Sequence, residues 1–405
     1  MVFEKHTFGY EWEALILKPT MMLLDKDDTE WLSHELRRRL PWSRTGIDMI
    51  RRTHAKILEI KSGVMTSQAE LVEQTAKHLI EVKNICEEKG WVFLPVGSHP
   101  AVEGAIGFHV HIGSVYRHDS AVRLANVFSR YVPAFAALMA NSPIWGPLET
   151  SGYKSRRVLK GADWCSTITY VMDPDFAQAL WGHDVTVTFR TKPTIEVRIA
   201  DSPFSRELLN EYAVLVSALL FSVSESEELT GSQYVESAEN RLRAAKDGLQ
   251  ATFSWNGEAR EVTDILHELI ERAAPGYEKL NAELPHLIPM MLRKKLTQAD
   301  FQMLLYEVNP DTHSMSRDLA NVIRDDECFT KYMKMADAIG AIPLRSIEDE
   351  ILSAIGVETP YWDIYASFKL PLARLDRVLH SLEREGRVRC HKTLERGALY
   401  TRLST

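Results

Sequence analysis

The stretch GFHVHIG, Gly107–Gly113, places two histidines two residues apart among apolar neighbours, with a glycine at each end. Successive side chains of an extended chain alternate faces. His109 and His111 therefore share one side, while Phe108, Val110 and Ile112 pack on the other. A paired imidazole face can bind zinc, carry acid–base chemistry or hydrogen-bond inside a core, and the strand alone does not choose among them.

Two further segments repeat the pattern. In GYEWEAL, Glu11 and Glu13 face away from Tyr10, Trp12 and Ala14; in TIEVRIA, Glu196 and Arg198 face away from Ile195, Val197 and Ile199. Any one of these reads as the half-exposed strand of an antiparallel sheet. Jointly they ask for more, because ordinary polar strand faces use Lys, Thr, Ser and Gln, and these use carboxylates, imidazoles and an arginine. Carboxylates with a minority of imidazole suit a hard divalent cation such as Mg²⁺ or Mn²⁺ better than structural zinc. Arg190, Arg198 and the pair Arg156–Arg157 in GYKSRRVLKG add forks that match phosphate and carboxylate oxygens. Such a sheet face is suited to a nucleoside triphosphate. A P-loop is excluded by the lack of a GxxxxGK[ST] run, and no GxSxG or Cys–His arrangement offers a protein nucleophile.

The remaining sequence sets the frame. A chain of 405 residues can build two or three cores. A net charge of −8 argues against nonspecific nucleic-acid binding. No apolar run reaches the length of a membrane span and no cleavable signal pattern opens the chain, so no membrane partner is expected. Cys86, Cys165, Cys328 and Cys390 are scattered without CxxC spacing, which disfavours a cysteine zinc site or a disulfide scaffold and points to a cytoplasmic location.

Strand and helix signals mix up to about residue 205. Ser67 with Glu70 three residues on opens a helix that Gly90 closes. The stretch 118–143 reads as a helix or helix pair interrupted at Pro133, and 184–203 as two strands joined at Lys192–Pro193. From about 206 to 340 the pattern is mainly helical, so strands and helices segregate as in an α+β fold. The last 60 or so residues read as an amphipathic helix, a helix–turn–helix with Leu372, Leu375, Leu379 and Leu382 at helical spacing, and a hairpin turning near Gly397. This unit resembles a winged helix. Residues 343–405 hold about ten basic and nine acidic side chains, too even a balance for a strong DNA footprint. A protein, peptide or dimer-docking role is favoured over DNA binding.

Taken in order, FGYEWEALIL, ILEIKSG, PVGSHP, GFHVHIG, FSRYVPAFAALMANSP, KSRR and TIEVRIADSP resemble the successive motifs of glutamate–cysteine ligase family 2, the carboxylate–amine ligases of the glutamine synthetase superfamily. NRLRAAKDGL is similar to a later family segment, and the resemblance covers roughly residues 5 to 260. It implies a glutamine synthetase-like antiparallel sheet whose active-site face is covered by helices. The expected organisation is a ligase catalytic domain over 1–260, its helical continuation over 261–340, and a winged-helix-like domain over 341–405.

By position, the resemblance implies metal ligands at Glu11, Glu13, Glu59, His109 and Glu196. It implies nucleotide contacts at His111 and Arg190, and catalytic contacts to the phosphoryl group or acidic substrate at Arg198 and Arg156. ATP and Mg²⁺ (or Mn²⁺) would serve a carbon–nitrogen ligase that joins a glutamate-like carboxylate to an amine or amino acid through an acyl phosphate. A homo-oligomer is expected. The segment before Glu59 carries His54, Ala55 and Lys56 where relatives are more acidic, which leaves the substrate end of the site unassigned. Competing readings are a metal-dependent hydrolase on the same face, and a metabolite-sensing regulator signalling through the winged helix.

Overall fold

A computed structural model describes residues 3–49, 56–99, 102, 105–115, 117–146, 149–150, 153–160, 184–188, 194–224, 227, 231–308, 312–339, 351–368, 372–384, 386–393 and 397–403. The strands are β1 (Phe3–Leu17), β2 (Gly46–Met49), β3 (Lys56–Lys61), β4 (Val92–Leu94), β5 (Gly107–Val115), β6 (Ile144–Gly146), β7 (Glu149–Thr150), β8 (Val185–Thr188), β9 (Thr194–Asp201), β10 (Thr252–Trp255), β11 (Glu258–Glu261), β12 (Thr359–Pro360), β13 (Val388–Thr393) and β14 (Gly397–Arg402).

The three patterned segments lie side by side. The main sheet runs β2-β3-β1-β5-β9-β8, with β4 added at the end of β1, and every pairing is antiparallel. Its apolar face carries Tyr10, Trp12, Phe108, Val110 and Ile112, all buried. Helix Arg206–Ser222 packs there. Residues 208–221 of that helix are buried all round, and its Tyr212 meets Phe108 edge-on at 6.0 Å. Helix Gln68–Lys89 joins it, with Tyr10 Oη 2.7 Å from His78 Nδ1. The opposite face carries the ionisable groups, and the segment Lys154–Lys160 reaches its edge beside Gly107 and Asp201.

The expected helix opening at Ser67 is present. Its hydroxyl accepts from the Glu70 N–H at 3.3 Å, and Gly90 closes the last turn at φ 66°. The 118–143 stretch divides into His118–Ser129 and Val132–Leu138, with Pro133 in the first turn of the second helix. The Lys192–Pro193 junction lies outside the described residues. Among its described residues, the expected helical region contains one β element, the β10–β11 hairpin, turned by Asn256 and Gly257 at φ 57° and 81°. Two successive positive φ angles on Asn-Gly are what a tight two-residue hairpin requires.

The chain divides into two compact units: Met1–Leu305 with Thr312–Thr330, and Tyr306–Asp311 with Lys331–Thr405. The second has its own core of Ile351, Ile355, Ile364, Leu375, Leu379, Leu382 and Val388. There, helices Tyr361–Phe368 and Leu372–Arg384 precede the β13–β14 hairpin, and β12 pairs with β14. Among the described residues, no helix is long and apolar enough to cross a membrane. Cys86, Cys328 and Cys390 are free thiols.

Candidate active site

Register brings the ionisable groups together. Glu13 lies opposite Glu59, Glu11 lies between Lys61 and His109, and His111 lies opposite Glu196. Paired residues of neighbouring strands share a face. The polar positions of β3, β1, β5 and β9 therefore form one row of four strands.

The side chains converge. His109 Nδ1 is 3.4 Å from Glu11 Oε2 and 3.5 Å from Glu196 Oε1, and its Nε2 is 3.9 Å from Glu13 Oε1. His111 Nε2 is 3.5 Å from Glu11 and 3.8 Å from Glu196. Lys61 Nζ stands 2.7 Å from Glu59 and 3.4 Å from Glu11, and Arg198 donates to Glu196. One donor atom each from Glu11, His111 and Glu196 falls within a 4.8 Å sphere of mutual separation. Carboxylate oxygens with a minority of imidazole fit a hard divalent cation.

The same crowding spreads the proton affinities. Burial would raise the Glu11 carboxyl, but hydrogen bonds from His109 and His111 hold it far below the usual range. Burial pushes Glu13 up to about 7 against the pull of Arg157 and the Gly107 N–H. His109 falls to about 4 through burial and then the Arg198 charge, so its imidazole is neutral at pH 7 and able to ligate. His111 shifts upward: burial opposes its charge, and Glu196 and Glu11 outweigh that cost.

A buried polar scaffold holds this face in place. Between Phe108 and Val110 of β5, strand β9 fits two residues, Arg198 and Ile199, against His109 alone. Such a bulge re-aims side chains near active sites. Arg157, buried, donates to the carbonyls of both bulged residues at 2.7 and 2.9 Å. Its guanidinium passes so close to Gly107 that a Cβ there would sit 2.5 Å from it, and the Gly107 N–H donates to Glu13. Beyond the bulge, Asp201 accepts from Asn141 N, Ser142 Oγ and Ser155 Oγ at 2.7, 2.6 and 3.0 Å. This ties the MANSP, KSRR and IADSP motifs into one joint. Asp184, buried, takes two bonds from Arg241, while its carbonyl accepts from Arg198 N.

Of the residues expected from sequence, Glu11, Glu13, Glu59, His109, His111, Glu196 and Arg198 share this face. Arg156 is half-buried on helix Arg156–Lys160, its backbone N–H donating to Ser142 O at 3.0 Å. Arg190 lies outside the described residues. Sequence reasoning passed over Lys61, although its spacing from Glu59 repeats the two-residue pattern, and over the buried Asp201; it read Arg157 as a fork for phosphate or carboxylate oxygens, whereas two of its nitrogens donate to the Arg198 and Ile199 carbonyls.

A family model described as glutamate–cysteine ligase family 2 matches residues 7–106 and 102–164. A protein of Corynebacterium efficiens carrying the provisional name glutamate–cysteine ligase 2-1 is 27% identical over 320 residues, spanning 67% of this chain and 82% of that protein. Among solved structures, a glutamate–cysteine ligase of Francisella tularensis in complex with AMP aligns at TM-score 0.54 and 13% identity, covering 95% of this chain and 100% of that one. A bifunctional glutathione synthetase of Pasteurella multocida aligns at TM-score 0.53 and 12% identity, covering 81% and 52%. At these identities the structural likeness speaks for the fold.

Proposed function

From the premise that this chain is an ATP-dependent carbon–nitrogen ligase of the glutamate–cysteine ligase family 2 kind, we propose that it joins a glutamate-like carboxylate to an amine through an acyl phosphate. The reading rests on one observation: four adjacent strands deliver four carboxylates, two imidazoles, Lys61 and Arg198 to a single face. The substrate carboxylate attacks the γ-phosphorus of ATP and ADP leaves. The amine then attacks the acyl carbon, and inorganic phosphate departs with the C–O bond.

Glu11, Glu13, Glu59, His109 and Glu196 would hold the divalent cation, Mg²⁺ or Mn²⁺, and the nearness of His111 to Glu11 and Glu196 makes it a further candidate ligand. The bound cation would neutralise phosphate charge. Arg198 and Arg156 are the proposed contacts to the transferring phosphoryl group and the acidic substrate, and His111 and Arg190 those to the nucleotide. Catalysis here is positioning and charge neutralisation, with no covalent enzyme intermediate.

We also read residues 1–260 and 261–340 as the ligase domain and its helical continuation, in a cytoplasmic homo-oligomer. Residues 341–405 we read as a winged-helix-like module that docks a protein or peptide. The deciding test is ADP release by the full chain with Mg²⁺ and glutamate against a panel of amines and short peptides. Amine-dependent ADP formation is the expected outcome. Its absence across the panel, with folded protein, refutes the ligase reading.

A further inference from the structure

A second cleft opens away from the acidic face, between the end of helix Gln68–Lys89, β4 and helix Thr312–Val322. Its enclosed volume is about 80 Å³, within a wider opening of about 560 Å³ that includes open solvent. Its floor is apolar: Trp91, Phe93, Ala320 and Ile323 are each less than a tenth exposed. Trp91 is backed edge-on by Trp31 at 5.5 Å, and Phe93 is backed edge-on by Trp12 at 5.5 Å. Trp12 belongs to the apolar face of β1, so the cleft lies on the opposite side of the sheet from Glu11 and Glu13.

Charge at the mouth is mixed, with Arg317 and Arg324 against the exposed Glu87. Arg317 lies on helix Thr312–Val322 and Arg324 two residues past its end, with the small Ala320 on the lining between them in sequence. Both arginines are exposed, and neither has an ion-pair partner among the described residues. Lys83, also on the lining, is already engaged by Asp326 and by the carbonyls of Ile323 and Arg324. A flat apolar body fits the aromatic floor. Two guanidinium forks over it suit an anionic group.

We infer that this cleft binds a small organic anion with a flat aromatic body, independently of the ligase site. The probe is 1-anilinonaphthalene-8-sulfonate, titrated by fluorescence into the full-length protein. Saturable binding is expected. The double variant Arg317→Glu/Arg324→Glu, at exposed positions, should weaken it about tenfold or more through loss of two charge-assisted contacts. Arg317→Gln/Arg324→Gln should give an intermediate loss, and Ala320→Leu should weaken binding by filling the centre. The uncharged N-phenyl-1-naphthylamine should respond to Ala320→Leu and not to the charge changes. Unchanged dye affinity in the charge variants, with wild-type circular dichroism, overturns the inference. So does displacement of the dye by Mg²⁺ and ATP, because the dye would then be reporting the ligase face.

Discussion

Glu196 is buried, accepts from Arg198 and stands 3.5 and 3.8 Å from the two imidazoles. Glu196→Gln keeps the shape and removes the charge. Mn²⁺ affinity by calorimetry and ADP release should both fall by more than the roughly 10–100-fold typical of a residue that only supports a ligand. Surviving activity with intact metal affinity would remove Glu196 from the ligand set. Gly107→Ala tests the scaffold, since the added methyl meets the Arg157 guanidinium. Overpacking of this kind costs about 1–3 kcal/mol, readable in denaturant midpoints, and should lower kcat by disturbing the Glu13 contact. Alternation alone made Glu11, Glu13, His109, His111, Glu196 and Arg198 legible. It fails at Asp201. The sequence period groups Asp201 with Ile195, Val197 and Ile199, but the bulge at Arg198–Ile199 turns it to the polar side, opposite Gly107. A two-against-one pairing depends on the neighbouring strand and leaves no period in its own.

Helix Gln68–Lys89 supplies a pH-dependent contact at the next scale. His78 is fully buried, 2.7 Å from Tyr10 Oη and 2.9 Å from Ser43 Oγ, and burial lowers its pKa to about 4 from the ordinary histidine value of about 6.5. Between those values the unfolded chain binds a proton that the folded helix refuses. The stabilisation is therefore complete above pH 6.5 and is lost as pH falls towards 4, by about 3 kcal/mol. His78→Gln should flatten that acid limb in urea midpoints measured from pH 7 to 4; an unchanged slope would mean that His78 does not drive it. The helix itself was legible from Ser67, Glu70 and Gly90, because caps are local chemistry. The β10–β11 hairpin was not read, although Asn256-Gly257 is a turn signal, since the flanking strands are only four residues each and lie amid helical periodicity.

The whole molecule carries two cores, and unfolding should show it. Calorimetry of the full chain should resolve two transitions, since multi-unit chains depart from two-state behaviour. Mg²⁺ with ATP at about 100 times Kd should add roughly 2.7 kcal/mol to the transition of the unit holding the carboxylate face. The other transition should stay in place. An equal shift of both would show that the cores do not melt independently. The α+β class and the helical 206–340 region followed from how strand and helix patterns segregate along the chain. Strand order did not, because β1 must find β5 and β9 across long separations that no local pattern encodes.

The row of ionisable groups also limits how this face can change over evolutionary time. Its members sit on β3, β1 and β5, and on β9, each hydrogen-bonded to neighbours on both sides. A one-residue insertion or deletion inside any of them would exchange the polar row for the apolar one and bury carboxylates against Tyr212 and its neighbours. Drift at this site is confined to replacements in place. New substrate preferences would have to come from the connecting segments, where length can vary without inverting a strand.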